Sequence, residues 1–175
     1  MTKKKVVLVI ASSGYQPIEY SGTREELENA GLRVLTASDT FGEAIATDNS
    51  TTRIDVQLVS LKISDIDGIF FIGGAGALSC LDNQTSHQIL KEAQKARKSL
   101  GAICISSRIL ARAGVLKEKK ATGWDGDGKL AGIFKEHGVI YEKKNVVTDG
   151  TIITATGPSV AHDFGLAIVR VMTKE

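Results

Sequence analysis

An α/β architecture, with a mainly parallel β-sheet carrying helices on both faces, is what this sequence predicts, and three observations carry it. Val6-Val7-Leu8-Val9-Ile10, Ile69-Phe70-Phe71-Ile72 and Leu100-Gly101-Ala102-Ile103 are apolar runs without polar alternation, the pattern of strands covered on both sides. Segments of helical periodicity alternate with these runs, which calls for right-handed crossovers between parallel strands. Glycine and serine clusters follow the runs directly, at the carboxyl ends of the strands, where ligands bind in such sheets.

The elements follow in order. After the Val6–Ile10 strand come the turn residues Ser12, Ser13 and Gly14. Pro17 then opens a helix in which Tyr20, Thr23, Leu27 and Ala30 recur at helical spacing before Gly31 ends it. Arg33-Val34-Leu35-Thr36 is a second strand. Residues 44–47 and 53–59 read as short strands, a hairpin or extra edge strands, with Asp48-Asn49-Ser50 as the turn. The strand at 69–72 ends in Gly73-Gly74-Ala75-Gly76. A helix over about 86–98 places Ile89, Leu90, Ala93 and Ala96 on one face. The strand ending at Ile103 leads into Cys104 and a helix begun by Ser106 and Ser107. Leu130, Ile133 and Phe134 mark a short helix closing near His137-Gly138, and Ile152-Ile153-Thr154-Ala155 is a late strand. Val160, Phe164, Ala167, Ile168 and Val171 trace a final amphipathic helix.

The 175 residues suit one domain, 1–175, with length enough for a single core. A formal net charge of +2 gives no field suited to nucleic acid, and Lys3-Lys4-Lys5 reads as solvated surface. No apolar run approaches the roughly 18 residues that cross a bilayer. Two cysteines, Cys80 and Cys104, cannot build a disulfide framework, and Val6–Ala11 is too short for a secretory signal core, so the expected location is the cytoplasm.

Cys104 is the first candidate for chemistry. It sits where a buried strand turns into a helix, and the unpaired N–H groups of a helix start favour thiolate over thiol. Such a setting can take a cysteine from about 8.5 down to roughly 3.5–7.5. A cysteine that attacks a carbonyl also needs donors for the oxyanion, which the backbone at Gly73-Gly74 can supply. Glu19, just inside the first helix, either caps it or, turned toward Cys104, keeps its proton as a buried acid. Other chemistries lack their residues. His87, His137 and His162 are scattered without metal-ligand spacing, so no metal is expected. Asp125-Gly126-Asp127-Gly128 lacks the closing glutamate of a calcium loop. Gly74-Ala75-Gly76-Ala77-Leu78-Ser79 lacks the third glycine of a dinucleotide fingerprint, and no phosphate loop or Gly-x-Ser-x-Gly elbow occurs; no cofactor is expected.

In combination, Val6–Ser12, Glu19 through Arg24–Gly31, Phe71-Ile72-Gly73-Gly74-Ala75-Gly76-Ala77-Leu78, Ala102-Ile103-Cys104, Leu110–Lys117, Ala121-Thr122-Gly123 and Val147-Thr148-Asp149-Gly150 into Gly157-Pro158 resemble the ThiJ/PfpI family over nearly the whole chain. The resemblance implies a flavodoxin-like three-layer sandwich. It maps the family's elbow cysteine onto Cys104, its partner glutamate onto Glu19, and its oxyanion N–H groups onto Gly74 and Ile105. Gly73, Ala75, Ser106, Trp124 and His162 are then candidates for the site wall. The chain departs from the family pattern where histidine follows the cysteine, here Ile105, and where a loop histidine stands twenty residues on, here Trp124. By this resemblance the expected function is a cysteine-dependent hydrolase or lyase acting on small reactive carbonyls, glyoxalase- or deglycase-like, with Glu19 as proton shuttle. The alternative is a non-catalytic oxidative-stress sensor or chaperone-like protein with an oxidisable Cys104; a Cys80–Cys104 disulfide switch is a third idea. A homodimer or larger homo-oligomer is the expected assembly.

Overall fold

The computed structural model describes residues 2–174. Its elements run β1 (Lys5–Val9), β2 (Ser13–Tyr15), α1 (Pro17–Asn29), β3 (Arg33–Ser38), β4 (Glu43–Ala46), β5 (Thr51–Arg53), β6 (Val56–Gln57) and β7 (Gly68–Phe71). There follow α2 (Ala77–Leu81), α3 (Gln84–Lys95), β8 (Ser99–Ile103), α4 (Ser107–Ala113), β9 (Lys120–Ala121), α5 (Leu130–Glu136), β10 (Ile140–Tyr141), β11 (Val146–Asp149), β12 (Ile152–Ala155) and α6 (Ala161–Thr173).

Seven strands form the central sheet in the order β11-β12-β8-β7-β1-β3-β6, and every neighbouring pair is parallel except β11 with β12. The uninterrupted apolar runs have their expected consequence: all four residues of β7 and all five of β8 are buried. Helices α1 and α6 pack on each other, α1 against β3 and α6 against β12 and β8, while α3 and α4 pack together against β8. Right-handed crossovers put these two pairs on opposite faces of the sheet. The chain leaves β1 toward β3 on one side and resumes at β7 on the other. The loops after β1 and β7 therefore meet at a topological switch point, with the loop after β8 beside them.

Several elements differ from the sequence expectation. The 53–59 strand is broken into β5 and β6 with a helical turn at Leu58–Ser60, because the segment crosses from the β4–β5 hairpin to the edge of the main sheet. The third helix spans 84–95 rather than 86–98, with Asn83 as its N-cap accepting from the Ser86 N–H; Ala96 is an exposed cap residue outside the apolar face. The short helix α2, the β2 edge, the β9–β10 pair and β11 carry too little periodicity to be read from sequence.

On the α6 side of the sheet, Phe164 of α6 meets Phe70 of β7 edge to face, ring centroids 6.1 Å apart, and both are fully buried. Phe164→Ala removes this contact and leaves a cavity beneath the last helix. We expect a loss of about 3–5 kcal/mol in unfolding free energy, read from urea denaturation.

Candidate active site

The nucleophile candidate is placed by strain that its surroundings impose. Cys104 adopts φ +63°, a left-handed conformation costly for a residue with a side chain, at the first position of the helical turn Cys104–Ser106. Three hydrogen bonds hold the elbow there. The Cys104 carbonyl accepts from the Trp124 N–H at 3.1 Å and the Ser107 hydroxyl at 3.2 Å, and the buried Ser106 hydroxyl donates to the Ile72 carbonyl at 2.7 Å. The backbone N–H groups of Ile105 and Gly74 lie near the half-buried sulfur and favour its charged form.

Glu19 faces this elbow from the first turn of α1, where Pro17 opens the helix and the Gln16 side chain caps it. The carboxyl is fully buried; its Oε2 accepts the Gly73 N–H at 2.8 Å, and among the described residues Oε1 has no hydrogen-bond partner. Gly73 separates the two reactive groups. A Cβ there would lie 2.6 Å from Cβ of Cys104 and 2.8 Å from Oε2 of Glu19, so any side chain at 73 would force thiol and acid apart. The next residue, Gly74, has φ +124°, and a Cβ on it would run into the Gly14 carbonyl and the Gln16 amide.

Burial governs the electrostatics. It pushes the Glu19 carboxyl up to about 7, against the smaller opposing effects of the Cys104 thiol and the Gly73 N–H. It also pushes the Cys104 thiol up to about 12, and the neighbouring Glu19 charge adds to that rise; the N–H groups of Ile105 and Gly74 pull the other way without overcoming it. This corrects the expectation of a lowered thiol pKa at a helix start. The donors are present, but desolvation and a buried acid outweigh them.

These groups open into a cavity of about 480 Å³, whose wall includes Gln16, Glu19, Gly74, Cys104, Ile105 and Trp124. Ala75, Thr47 and Pro158 complete it, Thr47 coming from the turn between β4 and β5. Cys104, Glu19, Gly74, Ile105, Ala75 and Trp124 are thus brought together as expected, with Gly73 just behind the wall. Two expected wall residues are not. The Ser106 hydroxyl is spent on the Ile72 carbonyl, and His162, exposed on α6, binds Glu26 through Nδ1 at 2.8 Å. Both thiols are free, and the Cys80 sulfur lies against the Ser13 carbonyl at 3.7 Å, which gives no support to a switch between the two.

Sequence reasoning missed how Trp124 is held. Arg108 of α4, 3% exposed, binds Asp127 through both terminal nitrogens at 2.7 and 3.0 Å, reaches the Trp124 carbonyl at 3.3 Å and lies over the indole ring at 5.4 Å. Those hydrogen bonds keep the Asp127 carboxyl down at about 2. Gly126 admits the ring from another side, since a Cβ there would sit 2.5 Å from it. The helical position of an arginine followed by Trp-Asp-Gly-Asp was the available signal, but nothing local pairs residues this far apart.

The raised Glu19 pKa has a thermodynamic sign. The folded carboxyl holds its proton from the model-peptide 4.5 up to about 7 while an unfolded one has lost it. Stability is therefore full below about 4.5 and falls as pH rises through about 7, by an amount on the order of 3 kcal/mol. Glu19→Gln should flatten that decline in melting temperature across the same window, as followed by circular dichroism.

Comparison with known proteins agrees with this fold. The DJ-1/PfpI family profile matches residues 4–171. An uncharacterized protein of Methanocaldococcus jannaschii is 34% identical over 175 residues, covering 99% of this chain and 85% of that protein. The Caenorhabditis elegans protein named glutathione-independent glyoxalase DJR-1.2 is 26% identical, over 97% of this chain and 89% of its own. The crystal structure of a ThiJ/PfpI domain protein from Brachyspira murdochii superposes with a TM-score of 0.91 at 26% identity, covering 98% of both chains. With its mainly parallel sheet, its glycine turn after β7 and its cysteine elbow after β8, the chain belongs to the DJ-1/PfpI family.

Proposed function

We propose that this protein is a cysteine-dependent enzyme acting on small reactive carbonyl compounds, with Cys104 as nucleophile and Glu19 as proton shuttle. The observation that carries the reading is the pairing, inside one cavity, of a sulfur approached by two backbone N–H groups with a buried carboxyl that titrates near neutrality. The name of the worm relative, a glutathione-independent glyoxalase, points to the same substrate chemistry at family distance.

The steps follow from the groups present. The Cys104 sulfur bonds to the aldehyde carbon, and the carbonyl π pair moves onto oxygen, toward the N–H groups of Gly74 and Ile105. Glu19, as carboxylate, takes the thiol proton and passes it to that oxygen, leaving a hemithioacetal. With a 2-oxoaldehyde, Glu19 then carries the proton of the aldehyde carbon to the neighbouring carbon through an enediol, which produces a thioester of a 2-hydroxy acid. Water cleaves the thioester and restores the thiol. A pKa of about 7 suits Glu19 to both halves of this shuttle. No histidine enters the scheme, and Ile105 and Trp124 stand where the family pattern places one. The oxidisable-sensor alternative uses the same sulfur; the buried carboxyl placed to move a proton is what favours the enzyme reading over it.

Methylglyoxal consumption tests the assignment. Cys104→Ala should abolish it, and Glu19→Gln should slow kcat by about 10²–10⁴. The wild-type kcat/KM should rise with pH through about 7, as Glu19 becomes the base. Turnover by Cys104→Ala at the wild-type rate would remove the proposed nucleophile.

A further inference from the structure

We infer that the catalytic cavity selects neutral carbonyl compounds bearing a flat apolar substituent, which Trp124 receives, over the smallest oxoaldehydes and over anionic ones. The substrate class rests on the proposed carbonyl chemistry; the selectivity rests on the cavity wall. Three observations bear on it.

The cavity has room for more than a three-carbon substrate. About 480 Å³ lies within the range that holds ligands of many heavy atoms, and a molecule the size of methylglyoxal leaves most of it unfilled. The wall around the elbow is also largely apolar, with Ile105, Trp124 and Pro158 among its residues. Among the described residues no lysine, arginine or histidine lines it, and its ionisable groups are Glu19 and Cys104, both of which gain only negative charge. A carboxylate or phosphate on the substrate would enter without a counter-charge and beside a buried acid.

The third observation is that the aromatic wall is fixed before anything binds. Arg108 lies over the Trp124 ring at 5.4 Å, is itself tied to Asp127 at 2.7 and 3.0 Å, and the Trp124 amide is bound to the elbow carbonyl at 3.1 Å. Arg108 is therefore committed to Asp127 and the ring and is not among the residues that line the cavity. A ring already held against a cation and the Gly126 backbone loses little freedom when an apolar substituent packs against it, so the contact favours binding. The same hydrogen bond couples that wall to the nucleophile: the loop that presents Trp124 also fixes Cys104 in its left-handed conformation.

Trp124 is the only tryptophan of the chain, so its indole N–H gives one NMR resonance that reports occupancy without turnover. Acetophenone should shift that resonance at a concentration at least tenfold lower than acetone does. In turnover, corrected for the Cys104→Ser protein, kcat/KM for phenylglyoxal should exceed that for methylglyoxal by about ten- to a hundredfold. Its para-carboxylate analogue should lose that advantage. Trp124→Ala should bring the phenylglyoxal-to-methylglyoxal ratio toward one, mainly through KM, and Trp124→Phe should retain most of it; circular dichroism confirms that both fold. An unshifted indole resonance, or equal kcat/KM for the three substrates, overturns the selectivity even if carbonyl turnover is robust. A resonance moved selectively by acetophenone, with no turnover of any aldehyde, upholds the selectivity and overturns the proposed reaction instead.

Discussion

The close packing at Gly73 is the constraint on which the rest of the site depends. Thiol and carboxyl belong to segments far apart in the chain, and they face each other because no side chain stands at residue 73 and because its N–H is donated to Glu19 at 2.8 Å. The same residue's carbonyl accepts the Gln16 N–H at 2.9 Å, which locks the start of α1 against the turn after β7. One backbone position thus sets the spacing of nucleophile and acid, buries the acid and anchors the helix that carries it. The parallel sheet supplies this geometry by ending β1, β7 and β8 on the same edge at the switch point.

Burial then fixes the chemistry in a direction that a helix dipole alone would not. A cysteine at the start of a helical turn is ordinarily expected to ionise easily. Here the sulfur shares a desolvated corner with a carboxyl: burial raises both groups, and the Glu19 charge raises the thiol further, so both retain protons further up the pH scale. The result is a thiol at rest with its base already in position.

Much of the architecture was legible because the buried strands announce themselves. Val6–Ile10, Ile69–Ile72 and Leu100–Ile103 need no partner to be read as central strands, and the apolar stripe Val160–Val171 marks the helix that covers them. Short pieces such as β6, β9 and β10 were not legible, since two-residue strands exist only through tertiary pairing. In the site, Cys104, Glu19 and Gly74 could be named from the turn chemistry and the family resemblance, whereas the sign of the thiol shift could not. That sign depends on how much water surrounds the sulfur, a property of the assembled wall. Thr47 and the Arg108–Asp127 clasp on Trp124 escaped for the same reason: each acts across a turn whose fold the local sequence does not encode. Ser106 and His162 were misplaced because a chain position close to the site says nothing about where a side chain spends its hydrogen bond.

The switch-point topology also has a bearing on how the protein comes into being on the ribosome. Glu19 emerges early, but the amide that binds it lies 54 residues later and the elbow it faces later still. Until β7 and β8 dock beside β1, the nascent first helix carries an acid with nowhere dry to go and remains an ordinary solvated carboxylate. Long-range parallel pairing is slow to form, so Glu19 acquires its unusual proton affinity only when the central sheet closes. The raised carboxyl and the completed fold are, for this chain, one event.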